Sequence, residues 1–137
     1  MMFPKHKKKR MNSTSDQTLW KWFSKYIRLR DRLPGTDNCR CISCGAVKRW
    51  KEMDAGHFVP RDRWNVRYNE QNVNAQCQHC NRFQSGNQFE HGLAINAKYG
   101  SGTAEYLAGI AKRGGRFSRI EIITLSDYYK RRVKGML

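Results

Sequence analysis

Cys41-x-x-Cys44 and Cys77-x-x-Cys80 stand 32 residues apart in a chain of 137, and no other feature restricts the possible folds so strongly. Two such pairs can bring four thiolates to one tetrahedral centre, which joins the two ends of the intervening segment whatever path it takes. Gly45, directly after the first pair, suits the tight turn of a zinc knuckle, and a shell of four thiolates leaves no open position for a substrate. The spacing therefore predicts a structural Zn²⁺ rather than a catalytic one. Buried free thiols or a redox pair would have to occur twice in one small chain. Cys39 is the fifth cysteine and could replace Cys41 as a ligand. The two-residue gap between Cys41 and Cys44 makes the better knuckle, so Cys39 is read as a spare thiol.

A staple of this kind suits the length. A chain of 137 residues with 28% charged side chains builds one modest core, which gains from a metal cross-link. The 27 Lys and Arg against 11 Asp and Glu give a formal charge of +16, a field that attracts polyanions and makes nucleic acid the expected partner. No stretch approaches the roughly 20 apolar residues of a membrane span. Met1–Arg10 is basic with no apolar run behind it, so it reads as a disordered arm, neither a secretory signal nor an anchor. The expected setting is a reducing cytosol, where closely spaced cysteines are more often metal ligands than disulfides.

The pattern along the chain predicts a basic arm over 1–13 and a single domain over 14–137. That domain divides into an N-terminal helix (14–35), a core (36–87) and a helical extension (88–137). Thr14 and Gln17 have capping-box spacing, and Leu19, Trp22, Phe23, Tyr26, Ile27 and Leu33 recur at helical intervals until Leu33-Pro34-Gly35. Lys48–Val59 reads as the strand pair of a hairpin and Asn65–Val73 as a loop. Three helices follow: from Gln88 to Tyr99 with Gly100 as stop, from Thr103 to Lys112, and from the capping box Ser118-Arg-Ile-Glu121 to about Val133. Trp20, Trp22, Phe23, Tyr26, Tyr128 and Tyr129 lie at helical spacing and are expected in core packing rather than in base stacking.

Between the cysteine pairs lies Asp54-Ala-Gly-His57-Phe-Val-Pro-Arg61, with Asn72 five residues before Cys77 and Asn81 directly after Cys80. This order resembles the HNH nucleases with a built-in zinc site, of the endonuclease VII type. The strings FSKYIRLRD (Phe23–Asp31), CISCG (Cys41–Gly45), DAGHF (Asp54–Phe58) and QCQHCNRFQSGN (Gln76–Asn87) are together similar to the NinG/Rap recombination nucleases of lambdoid phages, over roughly residues 15 to 134. The resemblance implies an α+β fold: a small ββα-metal (HNH, His-Me finger) core with a treble-clef-like zinc knuckle, flanked by N- and C-terminal helices. It also implies cleavage of Holliday junctions and D-loops with a divalent ion, in the host cytoplasm.

By the same resemblance His57 is the general base, taking the proton of the attacking water while a hydrated ion stabilises the developing charge. Asn72 matches the asparagine that holds the hairpin and orients the His, with Asn74 a near alternative. Asn81 would ligate the catalytic metal through its amide oxygen, with helix capping the bland role and Asn87 the fallback. Many HNH enzymes carry an acid directly before the catalytic His; here that position is Gly56, and the acid is Asp54, on the same strand face roughly 7 Å further along. Carboxylate, amide and water donors suit Mg²⁺ or Mn²⁺. Arg61, Arg63 and Arg67 follow His57 on an expected loop, as candidate phosphate contacts. His79 is expected to face solvent or touch phosphate rather than act in catalysis, and His91 carries the weakest functional signal.

Three functions fit: a structure-selective endonuclease, a non-catalytic zinc-bound DNA-binding module, and an HNH enzyme that reads a sequence. The ordered Asp54, His57, Asn72 and Asn81 favour an enzyme, and the lack of an appended recognition domain favours shape over sequence. Paired cuts in a two-fold symmetric junction suggest a homodimer.

Overall fold

The computed structural model describes residues 15–137; the basic arm and the Thr14 side of the first capping box lie outside the described residues. Helix α1 spans Ser15–Arg30, β1 Asn38–Arg40, β2 Val47–Arg49, β3 Met53–His57 and β4 Val73–Cys77. After a π-helical segment, His79–Phe83, come α2 (Gln88–Tyr99), α3 (Thr103–Arg113) and α4 (Arg119–Met136). The fold is α+β, with two separate two-stranded antiparallel sheets, β1 with β2 and β3 with β4.

The chain forms two compact units. The first takes the described residues up to Tyr26 and those from Phe117 onward. Its core is aromatic: Phe23 and Tyr26 each lie 5.0 Å, ring to ring, from Tyr129. Arg132 covers the Tyr26 ring at 5.2 Å, and Ser118 caps α4 in the expected box with Glu121. Trp20 and Trp22 are half-buried and Tyr128 is 40% exposed, so the aromatic set packs unevenly.

The second unit, Ile27–Arg116, holds the cysteines and the histidines at 57, 79 and 91. Val59, Val66, Ile95, Ala104, Leu107 and Ala111 form its apolar centre, so α2 and α3 pack over the loop that follows β3. Strand β4 is buried at all five positions, and its backbone is bonded on both edges. On one edge it pairs with β3, His57 opposite Val73 and Asp54 opposite Gln76. On the other, the Ala75 carbonyl accepts from Ile42 N–H (3.0 Å) and the Ala75 N–H donates to Asp31 (2.8 Å).

The strand pair expected within Lys48–Val59 is not formed. Val47–Arg49 pairs back to β1 (Asn38 opposite Arg49), and Met53–His57 pairs forward to β4. The reason lies in Trp50–Glu52. This 3₁₀ turn buries Trp50, whose N–H continues the β1 ladder by donating to the Asp37 carbonyl at 2.9 Å, so the chain shifts from one sheet to the next without reversing.

Candidate functional site

The four paired cysteines converge: the Sγ atoms of Cys41, Cys44, Cys77 and Cys80 all lie within 4.8 Å of one another. A tetrahedral ion with Zn–S bonds of about 2.3 Å spaces its sulfurs about 3.8 Å apart, and Cys44 and Cys77 stand at 3.7 Å. Each knuckle turns its own amides onto its first sulfur: Cys44 N–H donates to Cys41 Sγ (3.5 Å) and Cys80 N–H to Cys77 Sγ (3.4 Å). Such donors favour the thiolate. Gly45 takes φ +81°, which a side chain would resist, and closes the first knuckle with its N–H on the Cys41 carbonyl at 2.9 Å. The cluster can hold a metal ion and is compatible with structural zinc.

Cys39 stands apart from this group. Its thiol is fully buried and donates to the Arg28 carbonyl at 3.1 Å; burial, with Asp31 adding, pushes its pKa up to about 11. A protonated thiol already spent on a helix carbonyl fits the spare role read from the sequence.

His57 ends β3, half-buried, with Nε2 3.0 Å from the Arg67 carbonyl. A carbonyl only accepts, so in the neutral ring Nε2 carries the proton and Nδ1 is the basic nitrogen. Burial first, then the charges of Arg67 and Arg61, push the His57 pKa down to about 4 against the opposing pull of the Arg67 carbonyl. The imidazole is therefore neutral near pH 7.

Asn72 is fully buried and fixes the chain on both sides of that carbonyl. Its side chain accepts Val59 N–H (2.7 Å) and donates to the carbonyls of Val59 (3.0 Å) and Val66 (3.1 Å). Its own carbonyl accepts Phe58 N–H at 2.9 Å. The segment from Phe58 to Arg67 is thus tied directly after His57 and directly before the group that orients it. Asn74 does something else: its Oδ1 accepts from Arg30 (3.2 Å), Lys98 (3.1 Å) and Tyr99 (2.9 Å).

Asp54 and Asn81, 27 residues apart, meet: Asn81 Nδ2 donates to Asp54 Oδ2 at 2.9 Å. The register puts Asp54 on the face of Gly56, as the sequence predicts, and strand alternation puts His57 on the other. Gly56 itself is explained by Gln76, whose side-chain oxygen lies where a Cβ would stand. An acid at this position, directly before the His, has no room. Asn87, the fallback, instead points its amide at Cys80 Sγ (3.5 Å), within a turn where Ser85, Gly86 and Asn87 all have positive φ. As placed, Asn81 turns its amide NH₂ to the carboxylate; with the amide reversed, the two side chains could offer two hard oxygen donors.

Arg82 escaped the sequence reading, and His91 carries the weakest functional signal there. Arg82 lays its guanidinium on Asp54 in a two-pronged pair, both contacts 2.9 Å. His91 is fully buried, with Nε2 3.4 Å from the Asn74 amide and Nδ1 without a hydrogen-bond partner. Burial, then the nearby His57 and Lys98, push its pKa down to about 4.

The three arginines separate. Arg61 and Arg63 are exposed. Arg67 is 7% exposed, stacked on the Trp64 ring at 4.5 Å with Nη1 on the Arg61 carbonyl at 3.4 Å, so its role is to hold the loop rather than to reach outward. His79 is exposed beside Gln84 at 3.0 Å.

Behind β4, Asp31 takes two bonds from Arg30 (2.8 and 3.1 Å), one from Lys98 (3.1 Å) and one from Ala75 N–H (2.8 Å). Burial alone would raise its pKa, and these partners outweigh it, holding the carboxyl below its ordinary value. The same Arg30 donates to the carbonyls of Glu70 (2.7 Å) and Val73 (3.1 Å), so the end of α1 locks β4 in place beneath the site.

Among proteins of known sequence, the chain is 29% identical over 113 residues to Protein ninG of Salmonella phage P22, and equally to Protein ninG of Escherichia phage lambda. To Protein ninG of Escherichia phage 933W it is 28% identical over the same length. Each alignment covers 81% of this chain and 52% of the relative, so the chain spans about half the length of the curated relatives it matches. No solved structure matches. The family model described as Bacteriophage Lambda NinG protein matches residues 3–136, nearly the whole sequence, and the chain belongs to the NinG family.

Proposed function

We propose that this chain is a metal-dependent DNA endonuclease of the HNH type, cutting branched recombination intermediates such as Holliday junctions and D-loops. One observation carries the reading: β3, β4 and the helical segment after Cys77 join Asp54 to Asn81 while presenting His57 as a neutral imidazole of one tautomer. An antiparallel strand pair followed by a helical segment is what a ββα-metal core would need, which supports the reading. A pure DNA-binding module has no use for it.

In this reading His57 Nδ1 takes the proton of the attacking water, and the Arg67 carbonyl holds the ring in place as it becomes cationic. Asp54 and Asn81 would hold Mg²⁺ or Mn²⁺, which when bound stabilises charge on the phosphate and the leaving oxygen. Asn72 acts at one remove, by fixing the loop that carries the Arg67 carbonyl. Arg61 and Arg63 grip phosphates beside the cut. The four cysteines would hold Zn²⁺, which when bound would cross-link the knuckle to the end of β4. The partner is DNA, the working form a homodimer able to make paired cuts, and the place of action the host cytoplasm.

The test is cleavage of a labelled four-way junction beside a linear duplex of the same sequence, in Mg²⁺ and in Mn²⁺. Metal-dependent cutting confined to the junction supports the proposal. Cutting of the duplex at a fixed sequence points to a sequence-reading enzyme, and tight binding with no cutting to a binding module.

A further inference from the structure

Arg82 occupies the one carboxylate of the candidate metal pair. Its Nε and Nη2 sit 2.9 Å from Asp54 Oδ2 and Oδ1, and Asn81 takes up Oδ2 as well. The two partners differ in freedom: the Asp54 side chain is 16% exposed, whereas Arg82 is 55% exposed and reaches in from the surface. A fork-shaped guanidinium on a carboxylate uses the oxygens that a divalent ion needs, and the same fork fits a phosphate equally well. Asp54 cannot leave its strand; Arg82 can swing. We infer that Arg82 is an exchangeable counter-ion: it neutralises Asp54 while the metal is absent, and on metal entry it transfers to a DNA phosphate at the same place.

This inference deepens the proposed nuclease reading, since it rests on Asp54 as a metal ligand. It has three consequences. Free protein binds divalent ions weakly, because Arg82 must be displaced. Metal and DNA bind cooperatively, because the ion releases a cation that the phosphate then captures. Arg82 contacts substrate only in the loaded complex.

Zinc-loaded protein is titrated with Mn²⁺ alone, without DNA, following free Mn²⁺ by electron paramagnetic resonance. Arg82→Ala is expected to bind Mn²⁺ roughly fivefold or more tightly than the unaltered chain, as removing a competing positive charge requires. Asp54→Asn should abolish that gain. In parallel, junction DNA is bound in Ca²⁺, a hard ion of the same charge, and in buffer without added divalent ion. The loss of DNA affinity caused by Arg82→Ala should be several-fold greater with Ca²⁺ present.

Equal Mn²⁺ affinity in the two proteins, or a DNA penalty that ignores Ca²⁺, overturns the exchange. Failure of the nuclease reading is separately visible. Protein that shows both effects and cuts no DNA keeps the exchange and loses the catalysis.

Discussion

At the scale of single residues, the site depends on groups made neutral by burial. His57 and His91 both have their pKa pushed from about 6.5 down to about 4. The folded chain therefore binds fewer protons than the unfolded chain across that interval. Their contribution to stability is complete above about pH 6.5 and is lost as the pH falls toward 4, at up to about 3 kcal/mol each. Urea unfolding midpoints measured from pH 7.5 to 4 should fall accordingly, and His91→Phe should remove about half of the fall; a flat profile would contradict the burial of these rings. Asn72→Ala leaves three backbone groups without their partner and should cost about 3 kcal/mol, read from the same denaturant curves. His57, Asn72 and Asn81 are singled out by the resemblance that their order around the cysteines carries. The sequence is silent on Arg82 and Asp31 and gives His91 only the weakest signal, because their roles come from partners 28, 44 and 17 residues away in Asp54, Ala75 and Asn74.

Among the elements, the helices were legible and the strand pairings were not. Helices α2, α3 and α4 carry their own signals, the Gly100 and Gly114 stops and the Ser118 box, so their bounds agree with the sequence to within about three residues. Strands β2 and β3 carry no record of their partners. A run of three to five mixed residues fits any edge, and Trp50–Glu52 gives no sign that it changes sheet rather than reversing. The cysteine cluster ties the turn after β1 to the end of β4, alongside the Arg30 and Asp31 bonds to β4. Chelating the Zn²⁺ proposed for the cluster should accordingly unfold the segment from Ile27 to Arg116, since binding energy at a thiolate site is folding energy, on the order of 10 kcal/mol. Zinc content by mass spectrometry under native conditions separates the cysteines: Cys41→Ser should lose the ion and Cys39→Ser should retain it. Loss of zinc in Cys39→Ser alone would reverse the assignment.

For the whole molecule, charge dominates. A formal charge of +16 on 137 residues gives a long-range attraction for any polyanion, and affinity for DNA should fall steeply with salt because bound phosphates release counter-ions. A flat salt titration would remove DNA from consideration. Charge does not specify the chemistry, which in the proposed reading rests on His57 as the base. The direct measurement is single-turnover cleavage of a four-way junction in Mn²⁺ by the unaltered chain and by His57→Ala, with zinc content and junction affinity determined for both. Loss of cleavage by about a thousandfold or more, with zinc and binding unchanged, is the predicted result. Cleavage by His57→Ala at a rate near that of the unaltered chain would contradict the assignment and place the base elsewhere.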